Sequence, residues 1–203
     1  MKLHYADPSP YARKVRVLAH ETGLLARLEL MSDVVSPVQP NSELGKQNPL
    51  MKVPTLVTDD GVALFDSPVI CQYLDSLHSG PKLVPSQGPA RWRALRLEAL
   101  ADGITDAALL WRYETVLRPE ERQWSAWIDG QLAKVTQGLD QVEREAEQLE
   151  GEVTVGQIAL ACSIDWMEFR KVGGALRDGR PQLFSWYGRF ASRPSMLATA
   201  PKR

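Results

Sequence analysis

NPLMKVPTLVTDDGVALFDSPVICQYLD, from Asn48 to Asp75, reads as a strand, a tight turn, a second strand and the start of a helix. Thr55, Leu56 and Val57 form a short β-prone run behind Val53-Pro54. Asp59-Asp60-Gly61 is a hairpin signal, because glycine takes a positive φ at no steric cost. Val62, Ala63 and Leu64 then pair back onto the first strand. Asp66-Ser67-Pro68 opens a helix, with Ser67 read as the N-cap and Pro68 as the first helical residue. Ile70, Tyr73/Leu74 and Leu77 recur behind it at helical spacing. An acid and a hydroxyl therefore stand at a helix mouth, beside a strand edge opened by a proline. That combination suits a small zwitterionic peptide.

Working outward, residues 1–78 alternate strand and helix signals. Leu3 and Tyr5 mark a strand. Pro10 to Thr22 reads as a helix with Tyr11, Val15 and Leu18 on one face and Gly23 just past its end. Leu28, Leu30 and Val34/Val35 suggest a second strand and its exit. A β-α-β unit followed by a hairpin and a helix is a thioredoxin-like plan. SGPKLVPSQGP, residues 79–89, reads as a linker. Over residues 90–203 the strand signals stop, which makes the fold class α+β with an all-helical C-terminal domain. Arg91 to Tyr113 is a long helical stretch. A further helix is expected to start at Pro119, with a stripe through Trp124, Ile128, Leu132, Val135, Leu139, Val142, Ala146 and Leu149. Thr154-Val155-Gly156-Gln157 is a capping box flanked by Val153 and Ile158 as a hydrophobic staple. The mostly apolar IALACSIDWM that follows is expected to be central and buried.

Composition narrows the partners. The chain has 203 residues, is 44% hydrophobic and 24% charged, and carries a net charge of −1. That balance suits an ordinary soluble globular protein and favours neither nucleic acid nor an anionic membrane. No apolar run approaches the ~20 residues that span a bilayer. The start at Met1-Lys2, entering a strand within a few residues, carries no expectation of a signal peptide. Cys71 and Cys162 lie far apart in helical contexts without metal-ligand spacing, and His4, His20 and His78 are isolated. No metal site and a reducing, cytoplasmic compartment are the expectations.

The ordered set SPYARKVR, NPLMKVP, FDSPVI and EALADGITDAALLWRYE resembles the cytosolic glutathione transferases, most of all a YibF-like bacterial branch, over essentially the whole chain. The resemblance implies the glutathione transferase fold and a two-fold dimer built from the faces of residues 63–78 and 90–110. It implies conjugation of the glutathione thiolate to a small electrophile, with a glutathione peroxidase side activity. It implies a cis peptide at Val53-Pro54 that keeps the strand edge unpaired.

Site roles follow the same resemblance. Ser9, between Pro8 and Pro10, falls in the loop that carries the family's thiol-activating residue; read from the residues alone it is a helix N-cap. Tyr5 and Tyr11 are fallback donors, although both also suit packing. Val53 is expected to exchange main-chain hydrogen bonds with the cysteinyl residue, Ser67 to hold the γ-glutamyl carboxylate, and Asp66 to face its ammonium. Lys52 is a candidate for the glycyl carboxylate and equally a solvated surface lysine, with Gln39 and Lys46 behind it. Trp111, Tyr113 and Trp166 are candidate linings of an electrophile pocket, or simply core. Asp102 and Asp106 lie where a partner subunit's acid sometimes meets the glutathione amine. Two other functions compete: a non-catalytic glutathione-fold binding or adaptor module, and a glutathione-dependent thiol-disulfide reductase. The reductase needs a cysteine near Ser9, and the sequence has none there.

Overall fold

The structure, a computed structural model, describes residues 1–173 and 175–201. Its N-terminal part is a four-stranded sheet in the order β2-β1-β3-β4. Strand β1 (Lys2–Tyr5) runs parallel to β2 (Glu29–Ser32) and antiparallel to β3 (Thr55–Val57), which pairs antiparallel with β4 (Ala63–Leu64). The crossover between β1 and β2 is helix α1 (Pro10–Glu21), whose Val15 and Leu18 are wholly buried. It stops at Thr22, and Gly23 follows at φ 71°, the left-handed turn expected past a helix end. A single turn, α2 (Ser42–Gly45), precedes β3. The hairpin turns through Gly61 at φ 86°, with Val62 outside the strand.

Helix α3 (Ser67–Ser76) begins one residue earlier than its sequence suggests. Asp66, in extended backbone, is the N-cap, Ser67 is the first helical residue and Pro68 the second. A proline fits either place, because both N–H groups lack an intrahelical partner. The segment after α3 is pinned rather than loose. The Asp75 carboxylate, 3% exposed, accepts from the Leu83 and Val84 N–H groups at 2.9 and 3.1 Å.

The C-terminal part contains α4 (Gly88–Arg112), α5 (Ser125–Arg144), α6 (Val155–Arg170), α7 (Pro181–Ala191) and α8 (Pro194–Ala198). Helix α4 ends at Arg112 in a π turn over Tyr113–Leu117. Pro119 does not start the next helix. It introduces a short 3-10 turn (Glu120–Arg122), and α5 begins only at Ser125. The apolar stripe of α5 is correspondingly divided. Val135, Leu139 and Val142 are buried, whereas Trp124 and Trp127 are 64% and 39% exposed and stack on each other at 6.5 Å.

Helix α6 is central, and every residue from Val155 to Ile164 is buried. Gln157 Oε1 accepts from the Thr154 N–H at 2.6 Å, and its amide donates to the Leu149 carbonyl at 2.9 Å. Gly156 lets α4 come close: a Cβ there would stand 2.6 Å from the Ala94 carbonyl oxygen and 2.8 Å from the Leu97 Cβ.

Helix α1 joins the sheet to the helices through charge. Buried Lys14 reaches Glu98 at 3.0 Å and Asp102 at 2.6 Å on α4. Arg13 pairs with Asp165 on α6, and Glu21 with Arg193, at the head of α8, at 2.8 Å. Asp102 is thereby committed within its own chain.

Candidate functional site

The sheet register brings the candidate residues to one end. His4 pairs with Thr55, so the next positions set Tyr5 level with Pro54 and Ala6 with Val53. Leu56 pairs with Leu64, and the same continuation sets Pro54 level with Asp66 and Val53 with Ser67. From Ala6 the chain turns through a Ser9 N–H to Ala6 carbonyl bond of 2.9 Å, so Ser9 stands at the same end. Helices α1 and α3 both start here and direct free backbone N–H groups toward it.

Ser9 caps α1. Its Oγ accepts from the Ala12 N–H at 3.2 Å. This uses a lone pair and leaves the hydroxyl proton unspent. The Val53-Pro54 bond is cis, and so is Phe65-Asp66. Asp66 is exposed, with no ion pair among the described residues, and Ser67 is 1% exposed. Neither side chain makes a cap hydrogen bond. Lys52 is exposed and unpaired among the described residues. Lys46 is tied to Glu43 at 2.6 Å, and Gln39 lies exposed in a bridge with Ser36.

A brace under this edge was not evident from the sequence. Asn48, 1% exposed, donates to the Lys52 carbonyl at 3.1 Å and to Thr55 Oγ1 at 3.0 Å, and Thr55 Oγ1 donates to the same carbonyl at 2.9 Å. Met51 sits between them at φ 52°, a left-handed position uncommon for a side chain of its size. The one available signal was the Asn48-Pro49 pair, a turn initiator.

Tyr11 is occupied. Its hydroxyl donates to Asp106 of α4, and burial first, then that bond, push its pKa up. A phenol has one proton to give, so this contact withdraws Tyr11 as a donor and Asp106 as a free acid. Tyr5 carries the Arg16 guanidinium 4.9 Å over its ring. Trp111 and Tyr113 are half-buried near the end of α4, whereas Trp166 is 4% exposed within the core and offers a ligand no surface. Cys71 and Cys162 are buried and free; burial raises both thiols, that of Cys162 to about 12. Neither is a ready thiolate at neutral pH. Among the described residues no group of three or more His, Cys, Asp and Glu is placed to hold a metal ion, and no helix is long and apolar enough to cross a membrane.

Comparison with known proteins agrees with this fold. The glutathione S-transferase N-terminal domain family matches residues 8–77 and the C-terminal domain family residues 125–189. The GST-like protein YibF of Escherichia coli is 32% identical, with all of both chains covered. A glutathione transferase family member from Pseudomonas fluorescens Pf-5, solved with bound glutathione, is 45% identical at a TM-score of 0.97, covering 100% of this chain and 99% of that one. Its structure with bound S-(propanoic acid)-glutathione gives 44% identity and a TM-score of 0.93, with all of both chains covered. Two domain families in order along one chain, and a full-length relative above 30% identity, establish that this protein belongs to the glutathione S-transferase family.

Proposed function

We propose that this protein is a glutathione transferase that joins the glutathione thiolate to a small electrophile. One observation carries the reading: Ser9, the Val53-Pro54 edge and the Asp66-Ser67 helix mouth meet at one end of the sheet. The peptide lies along Val53 as an added strand. Its γ-glutamyl carboxylate meets the Ser67 hydroxyl and the N-terminus of α3, and Asp66 faces its ammonium. Lys52 takes the glycyl carboxylate. Glutathione as the ligand is supported by the structural neighbour solved with it bound.

The chemistry turns on the thiol. A free thiol titrates near pH ~8.5. Lowering that by about two units needs roughly 2.7 kcal/mol of preferential stabilisation of the thiolate. A hydrogen bond to a charged atom supplies about 1.5–3 kcal/mol, and the N-terminus of α1 adds to it. Ser9 acts as donor, with no base needed to deprotonate it, and its cap bond to Ala12 does not compete for the proton. The sulfur then attacks the electrophilic carbon, in a pocket walled by Trp111 and Tyr113. The proposal includes a homodimer and a cytoplasmic setting, with residues 1–78 and 90–203 as its two domains.

The test is a thiolate absorbance titration of the glutathione complex. Ser9→Ala is expected to keep glutathione affinity, raise the bound thiol's pKa and slow conjugation at neutral pH, with partial recovery at alkaline pH. A panel of electrophiles and hydroperoxides then reads the activity. A second reading, binding without turnover, draws on the cap bond of Ser9. It requires identical titration curves for wild type and Ser9→Ala.

A further inference from the structure

Where α4 and α6 end, two cations stand without a counterion among the described residues. The helices run parallel: Ala94 and Leu97 lie on Gly156, and Thr105 donates to Ser163 Oγ at 2.8 Å. The same step along each helix, 105 to 112 and 163 to 170, is about two turns and ends on Arg112 and Arg170. Helix α1 runs the opposite way, with Lys14 on Asp102, Tyr11 on Asp106 and Arg13 on Asp165. Continued one turn, that order brings Ser9 level with the last turns of α4 and α6.

Arg170 Nε is buried with no hydrogen-bond partner, and its guanidinium lies 4.8 Å over the Phe169 ring. Burial first, and the Arg112 charge second, draw its pKa below the ordinary guanidinium value. Among the described residues neither arginine is paired with a carboxylate, and the acids on these elements have other partners. Glu114 holds Arg118, Asp165 holds Arg13 and Tyr187, and Glu168 holds Arg177. A cation in a last helical turn complements the helix dipole. That role accounts for the charge and leaves the buried, unsatisfied Nε unexplained, since such a donor is costly without a partner.

We infer that Arg112 and Arg170 form an anion subsite beside the proposed sulfur position, and that the electrophiles taken there carry a carboxylate. The inference rests on the glutathione-conjugating reading. In a displacement, the sulfur–carbon bond forms as the carbon–halogen bond breaks. The halide leaves with the bonding pair and the thiol proton passes to solvent. The carboxylate is unchanged and only holds the reacting carbon in place.

The test compares S-(carboxymethyl)glutathione with its neutral isostere S-(carbamoylmethyl)glutathione by calorimetry, with glutathione as reference. Wild type is expected to bind the acid about ten-fold tighter, the worth of a charge-assisted hydrogen bond. Arg112→Gln with Arg170→Gln removes that preference and leaves glutathione binding unchanged, whereas Arg112→Lys and Arg170→Lys keep part of it. A merely structural role lowers all three ligands alike and overturns the inference. So does equal binding of the two conjugates by wild type, or a preference that survives the double Gln variant. In turnover, 4-chloro-3-nitrobenzoate is favoured over its methyl ester through KM. If glutathione itself fails to bind, the transferase reading falls and takes this one with it; if glutathione binds without an acid preference, only this one falls.

Discussion

At the scale of single residues, the candidate site offers groups that the fold leaves free. Asp66 occupies an N-cap position without making the cap bond, and Ser67 follows it at the first helical position, nearly inaccessible yet unused. A better cap would spend the carboxylate on its own helix. Asp66→Ala is therefore expected to weaken glutathione binding by about ten-fold or more while leaving the fold intact. Calorimetric titration checks this, and unchanged affinity would remove Asp66 from the site. Ser9 differs, because a hydroxyl both accepts and donates. The sequence offered cap and donor as alternatives, and the geometry makes them compatible. Tyr11 was ambiguous for the opposite reason. Its helical face is readable from spacing, but its hydroxyl's partner, Asp106, lies far along the chain.

At the scale of elements, α1 organises the molecule. It carries Ser9 at its head, Arg13 and Lys14 in its first turns, and Glu21 at its tail. The Arg193 hydrogen bond, joined by that of Ser195 and acting against burial, holds the Glu21 carboxyl below its ordinary pKa. A depressed carboxyl stabilises the folded state above its unfolded pKa of ~4.3, and the contribution is lost as pH falls through the lower folded value. Glu21→Gln is expected to melt at lower temperature than wild type at pH 7 and to show a flatter acid limb. Parallel acid limbs in thermal scans would exclude this role. The contact of α4 with α6 gives a second prediction. Gly156→Ala forces a methyl onto the Ala94 carbonyl, which is backbone and yields little. The cost is expected near 1–3 kcal/mol, and calorimetry should record a lower Tm. An unchanged Tm would mean the two helices part without penalty. Element types were largely legible, because hydrophobic spacing, Gly23 and the capping box are local signals. The start of α5 was not. Its apolar stripe extends past the buried part into exposed Trp124 and Trp127, and periodicity alone does not report where burial ends.

At the scale of the whole molecule, the remaining question is what covers the exposed apolar side chains. Val62, Val69 and Trp92 are 51%, 45% and 68% exposed, on the β4–α3 segment and the first half of α4. They fall on or beside the faces expected to pair in a dimer, and a net charge of −1 opposes association little. Light scattering at micromolar concentration is expected to give twice the 22.6 kDa of one chain. A monomer mass would leave these side chains without that explanation. The sequence by itself determined the strand-helix order, the hairpin at Gly61, the opening of α3 within one residue and the ordered motifs that mark the family. Each rests on backbone preferences acting over a few neighbours. Only the tertiary structure decided that Asn48 braces the Val53 edge, that Trp166 is core, that Asp102 and Asp106 are committed to α1, and that Arg112 and Arg170 stand level with no counterion among the described residues. Those are pairings between distant segments, set by how α1, α4 and α6 pack, and local spacing carries no record of which distant group a side chain meets.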